Sequence, residues 1–261
     1  MTTVQALILG IVQGLTEFLP ISSDGHLALA QHLLGAVQPL WVDVAVHVAT
    51  LAAIVVAFRA PIVELGRGVL TGRREAWQDL GLYAVASVPA AVIGIVFKTQ
   101  LEQMKNYLWF VGAAFVVMGF ILWTARGRMS GTRQRPNVWE AFAIGLGQAA
   151  AILPAISRSG CTITIALRRD IAPDRAAEFS FVLGIPAIAG AAALEFQEFL
   201  AGIAGVGVAP VALAMGAAFV TGLAAIALLR RLLRARAFHR FAPYLWVVGA
   251  FTLVLAAVRA A

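Results

Sequence analysis

The sequence predicts an all-α polytopic membrane protein: one membrane domain over residues 1–261, with six transmembrane helices and two re-entrant helix-loop-helix hairpins arranged as an inverted repeat. Three observations predict it. Hydrophobic residues make up 61% of the chain and charged residues 13%, against about 25% charged in soluble domains, and the mean hydropathy is +0.87. Apolar runs recur at the roughly 17 to 25 residues that cross a bilayer as helix. Two stretches, starting at Gly10 and Gly145, overlay without a gap as G-x-x-Q-x8-S-x-x-G.

Along the chain, residues 4–19 are apolar but short. Pro20 and the small polar residues after it break the run, and an apolar segment resumes at 27–34. This pattern reads as helix, loop, helix entering and leaving on one side, because irregular backbone survives at membrane depth only where protein or a wet cavity satisfies it. Spans follow at 40–58, 81–97 and 108–125. The break recurs in 138–153, which Pro154 ends, with an apolar continuation at 161–167, and three further spans read at 178–196, 208–229 and 242–258. The repeat halves cover about 1–126 and 138–261. Met1-Thr2-Thr3 carries no positive charge and the first apolar run leads straight into Glu17 and His26, so the start reads as mature protein rather than a cleaved signal peptide.

Counting spans sorts the connecting loops onto two faces. Loops 59–79, 126–137, 168–177 and 230–241 share one face and carry sixteen arginines, while the other has only Lys98, Lys105 and Arg259. Such asymmetry places the arginine face in the cytoplasm and both termini outside. Three spans, an odd number, separate the hairpins, so the second is inverted relative to the first: one dips in from outside and the other from the cytoplasm. Inverted repeats of broken helices bring a ligand site to their meeting point near the midplane.

The same placement explains the net charge of +7. The excess lies in arginines that orient the spans, so no nucleic-acid partner is expected. Cys161 is the single cysteine, which excludes an intramolecular disulfide, and beside Gly160 it reads as a small buried hydrophobe.

Ionisable groups at membrane depth point to function. Gln13 and Glu17, four apart, share a helix face and offer oxygens suited to a hard divalent cation, Mg²⁺ or Ca²⁺; a buried acid used for packing or proton relay is the plainer alternative. Ser22, Ser23, Asp24 and His26 follow at the start of the next half-helix, where free backbone N–H groups favour a phosphate. The serines can cap or attack, and His26 can act as base, proton donor or nucleophile. Ser157, Arg158 and Ser159 form an anion-binding loop around one guanidinium. Gln148 repeats Gln13, but Ile152 stands where the acid would be. Asp43 and His47, also four apart, read equally as support for the site or as simple helix pairing.

These motifs resemble the undecaprenyl-diphosphate phosphatase family, the bacitracin-resistance type of integral membrane phosphatase. The resemblance covers essentially the whole chain: Gln13-x3-Glu17, Leu19-Pro20-Ile21-Ser22-Ser23, Gly25-His26, Asp43-x3-His47, Ser157-Arg158-Ser159-Gly160-Cys161-Thr162, and Phe179-Ser180-Phe181 with Pro186. It implies a metal-dependent hydrolase of the bacterial plasma (inner) membrane that removes the terminal phosphate of the C55 isoprenoid diphosphate. The lipid carrier of cell-wall synthesis is thereby recycled, at a site open to the outer face. The expected partners are this polyprenyl diphosphate and membrane lipid, with a homodimer as the candidate assembly. Three positions depart from the family pattern: Asp24 where serine or threonine is usual, and Ala155 and Ala49 where glycine is usual.

The working expectation assigns Gln13 and Glu17 to the metal. Arg158, with Ser22, Ser157 and Ser159, takes the diphosphate, and Ser23 or His26 attacks the terminal phosphorus while the other assists proton transfer. A transporter or lipid flippase, built on the same inverted-repeat site, is the main rival, and a non-catalytic protein binding the lipid diphosphate is the third reading.

Overall fold

The computed structural model describes residues 2–34, 40–97, 104, 107–194, 196–197 and 208–260, and the described residues are helical with short connections. Helix α1 spans Thr3–Phe18 and α2 Ser23–Leu34. A capping box starts α1 sharply: Thr2 Oγ1 accepts from the Gln5 N–H while Gln5 Oε1 accepts from the Thr2 N–H at 2.8 Å. Its end is as local. Leu19 is extended, as the residue before a proline is steered to be, and Pro20 has no N–H to continue the ladder. The second broken pair is α7 (Val138–Ala150) and α8 (Arg158–Arg168). Asn137 and Glu140 box the start of α7, and Arg133 grips Glu140 through two bonds of 2.6 and 2.9 Å. That guanidinium holds the Glu140 carboxyl below the usual carboxylate range.

Between and after these pairs run α3 (Leu40–Ala57), α4 (Arg59–Leu70), α5 (Arg74–Val96), α6 (Leu108–Trp123), α9 (Pro173–Leu194), α10 (Val208–Arg234) and α11 (Phe241–Ala260). Among the described residues, a helix runs through most of each of the six stretches read as spans. Among the described residues, four stretches are long and apolar enough to cross a membrane: α5, α9, α10 and Phe238–Arg259; Val44–Ala57 of α3 with α4, taken as one bent pair, makes a fifth. At 16 residues, α1 and α6 are shorter apolar helices. The expected loop 59–79 holds helix α4, a turn at 71–73 and the first turns of α5 instead. Pro61 sits in the first turn, where its missing N–H costs nothing, and a left-handed Gly72 (φ +71) closes the far end. Lys98 and Lys105 lie outside the described residues.

Small residues set the helix contacts. A side chain at Gly10 would run into the Ala214 carbonyl of α10, and one at Gly145 into the Ala86 carbonyl of α5, the close approach that glycine permits between membrane helices. Gly145→Val is accordingly expected to cost at least about 2–3 kcal/mol by overpacking. A lowered unfolding temperature in detergent, with the same loss for Gly10→Val, would show it.

The four arginine-bearing segments gather at one end of the molecule. Arg133 and Ile171 form an isolated parallel bridge, Arg135 Nη2 donates to Gln78 Oε1 at 2.7 Å, Arg175 reaches Gln134, and Arg234 pairs with Asp174 at 3.1 Å. Apolar side chains such as Val88, Val92, Phe120, Val220, Val247 and Phe251 point outward, as lipid-facing surface does.

Candidate active site

The two broken helices meet at Glu17. Its neighbour Phe18 is fully buried and packs edge-on to Phe181 of α9, with centroids 5.6 Å apart, which anchors the last turn of α1 inside the protein. Glu17 Oε2 accepts from Ser23 Oγ at 2.7 Å and from Gln13 Nε2 at 3.2 Å. Its other oxygen accepts from Arg158 Nη2 at 2.8 Å, across 141 residues of chain. His47 Nε2, from α3, lies 3.7 Å from Oε2. Ser23 and Arg158 hold equivalent places, each the first helical residue after a break, so the two hairpins deliver a hydroxyl and a guanidinium to one buried carboxylate.

Backbone geometry makes this delivery work. Ser22 and Ala155 both adopt left-handed conformations, φ +69 and +63, which cost an L-residue roughly 1–2 kcal/mol. Ser157 caps α8, its Oγ accepting from the Gly160 N–H at 3.1 Å, and lies 3.2 Å from Ser159 Oγ. Arg158 rests against Gly184 of α9, where any side chain would meet its guanidinium.

A cavity of about 310 Å³ opens over these groups, with Glu17, Ser22, Ser23, Asp24, His47, Ser157 and Arg158 on its polar side and Val44, Ile152 and Ile188 among the apolar lining. Asp24 lies in the first turn of α2, where the positive helix end favours a carboxylate. The cavity touches the start of α3 (Val44, His47) and the end of α9 (Ile188, Ala191). The arginine loops contact the opposite ends of the same helices: Arg230 sits over Phe58, and Arg234 pairs with Asp174. Cavity and arginines therefore lie at opposite ends of the molecule.

Three expected residues do not line the cavity: His26, Ser159 and Gln13, which is fully buried and donates to Glu17. His26 turns away: its Nδ1 is 2.8 Å from the Ser22 carbonyl oxygen, its Nε2 is 2.7 Å from the Tyr244 hydroxyl, and its ring stacks on Tyr244. Ser159 is buried, with Leu19 O at 3.5 Å bridging the hairpins. Tyr244 was missed because it stands 218 residues from His26, in a helix whose apolar sequence carries no site signal. The Asp43 side chain lies outside the described residues. Among the described residues, the buried side-chain atoms without a hydrogen-bond partner include Gln13 Oε1, Arg158 Nη1 and both side-chain ends of Gln148. Among the described residues no three His, Cys, Asp or Glu side chains converge as a metal cluster.

The family model described as "Bacitracin resistance protein BacA" matches residues 6–251. The chain belongs to that family. It is also similar over nearly its whole length to curated relatives named undecaprenyl-diphosphatase. The protein of Carboxydothermus hydrogenoformans is 39% identical, with 98% of each chain covered. That of Desulfosudis oleivorans is 40% identical, covering 97% of this chain and 98% of its own. The Methanobrevibacter smithii protein is 36% identical over 95% and 96%. The BacA family assignment thus spans both broken helices and the groups they bring to Glu17.

Proposed function

We propose that this BacA-family protein hydrolyses undecaprenyl diphosphate to undecaprenyl phosphate and inorganic phosphate, returning the lipid carrier to its monophosphate form. The observation that carries the reading is Glu17, one carboxylate joined to the Ser23 hydroxyl and to the Arg158 guanidinium in a cavity with an apolar flank. Relatives named undecaprenyl-diphosphatase supply the substrate.

In this mechanism Arg158 exchanges Glu17 for diphosphate oxygens, and its unpartnered Nη1 adds a second donor, the bidentate geometry guanidinium offers phosphate. Ser23 Oγ attacks the terminal phosphorus and its proton passes to Glu17 Oε2. The bond to the bridging oxygen breaks and the isoprenyl monophosphate leaves with the electron pair. Water then attacks the phosphoserine, inorganic phosphate departs, and Ser23 recovers the proton from Glu17. Ser22, Ser157 and the α8 N-terminus orient the phosphates. His26 holds the Ser22 carbonyl and so positions Ser23.

The donor chemistry suits a hard cation: Gln13 Oε1 is a buried, unpartnered oxygen beside Glu17. Gln13 and Glu17 are the residues that would hold Mg²⁺ or Ca²⁺. When bound, such an ion neutralises charge on the diphosphate.

We further read the fold as six spans with two re-entrant hairpins in an inverted repeat, halves 1–126 and 138–261. The paired Gly10–Ala214 and Gly145–Ala86 approaches support it. With the arginine end cytoplasmic, the cavity at the opposite end opens outward and both termini lie outside.

The test is phosphate release from undecaprenyl diphosphate by purified protein in detergent, where no gradient exists. Release that a chelator abolishes and Mg²⁺ or Ca²⁺ restores is the expected result. Vesicle uptake without hydrolysis would replace the reading with transport, and tight binding without turnover under any divalent ion would leave a lipid-binding protein. Ser23→Ala is expected to lower turnover at least about a thousandfold, His26→Ala by roughly tenfold. An acid-stable phosphoserine should be trappable in the wild type, whereas an acid-labile adduct would move the attack to histidine.

A further inference from the structure

A second site lies at the opposite end of the molecule. At Phe58 the chain bends by 75° from α3 into α4, which lays α4 across the end of a spanning helix rather than along it. Arg59, Val63 and Arg67 follow at four-residue spacing and share one face of α4. The turn after the helix brings Arg73 back to the same place: the Arg73 N–H donates to the Gly68 carbonyl at 2.8 Å and the Gly72 N–H to the Val69 carbonyl at 3.1 Å, the paired bonds of a helix closed by a left-handed glycine. The result is a concavity of about 540 Å³ bounded by Arg59, Ala60, Val63, Glu64, Arg67 and Arg73.

Its charge does not cancel. Glu64 pairs with Arg73 at 3.6 Å, Arg59 donates to the Val56 carbonyl at the end of α3, and Arg67 makes no side-chain hydrogen bond or ion pair among the described residues. Three guanidiniums thus face one carboxylate. Val63 in the lining is 47% exposed, and Leu70, three residues after Arg67 on α4, 88%. An apolar rim beside a cationic hollow, at the end of a membrane span, matches the boundary between acyl chain and headgroup.

We propose that this concavity binds the headgroup of an anionic phospholipid in the leaflet at the arginine end. The phosphodiester sits among Arg59, Arg67 and Arg73, and Val63 and Leu70 contact the acyl chains. The site stands apart from Glu17 and does not depend on the proposed hydrolysis.

The experiment uses the full chain in nanodiscs of zwitterionic phosphatidylcholine, titrated with phosphatidylglycerol, reading bound lipid by native mass spectrometry and unfolding temperature by scanning fluorimetry. Phosphatidylglycerol should raise the unfolding temperature and phosphatidylcholine should not. With each basic residue contributing a few-fold near a surface, Arg67→Gln, which breaks no contact in the fold, should weaken retention about fivefold. Arg59→Gln/Arg67→Gln/Arg73→Gln should weaken it on the order of a hundredfold. Arg126→Gln/Arg128→Gln, at the same end but outside the hollow, should leave it unchanged. Equal loss in that control pair would reduce the effect to general surface charge and overturn the proposal, as would an equal shift from inorganic phosphate alone. Should the triple variant not fold, Arg67→Gln against the control pair decides.

Discussion

Arg158→Ala is expected to lower turnover of undecaprenyl diphosphate by about 10³-fold or more, the scale on which a guanidinium stabilises a transferring phosphoryl group. Its setting explains the size. The side chain is 15% exposed, so water cannot replace it, and Nη1 is buried without a partner. Arg158→Lys restores charge but not the planar fork, and should recover only part of the loss, mainly in KM. Size-exclusion and circular-dichroism profiles should match the wild type. Turnover above a tenth of wild type in Arg158→Ala would remove the arginine from the phosphate.

Glu17→Gln is expected to cost about 10²–10⁴-fold in kcat, the range for a lost general base. Glutamine keeps the shape but cannot take the Ser23 proton. It also leaves Arg158 without its counter-charge, and breaking one side of a buried pair costs roughly 3–5 kcal/mol. Glu17→Gln should therefore unfold at lower temperature than Glu17→Gln/Arg158→Gln, although both are inactive. A double variant less stable than either single one by the full sum would mean the residues act independently, against the 2.8 Å contact.

The local breaks were legible because their causes are local. Pro20 and Pro154 end helices wherever they fall, and the observed ends at Phe18 and Ala150 lie within a few residues of those expected. Helix α4 was hidden by its four-residue mix of charged and apolar positions, which reads as loop when only membrane-spanning runs are sought. Helices α5 and α9 begin seven and five residues before the expected spans at 81 and 178, since charged first turns are stable helix but not apolar sequence.

By itself the sequence determined that this is a membrane protein with two broken helices, polar groups at each break and arginines concentrated in four segments between the apolar runs, because composition, proline and span length act through neighbours in the chain. Only the tertiary structure decided which of those groups meet. Arg158 reaches Glu17 across 141 residues, while His26, three residues from Ser23, turns to Tyr244. A buried polar side chain takes the partner that packing places within hydrogen-bond reach, and helix packing is set by surfaces far apart in sequence.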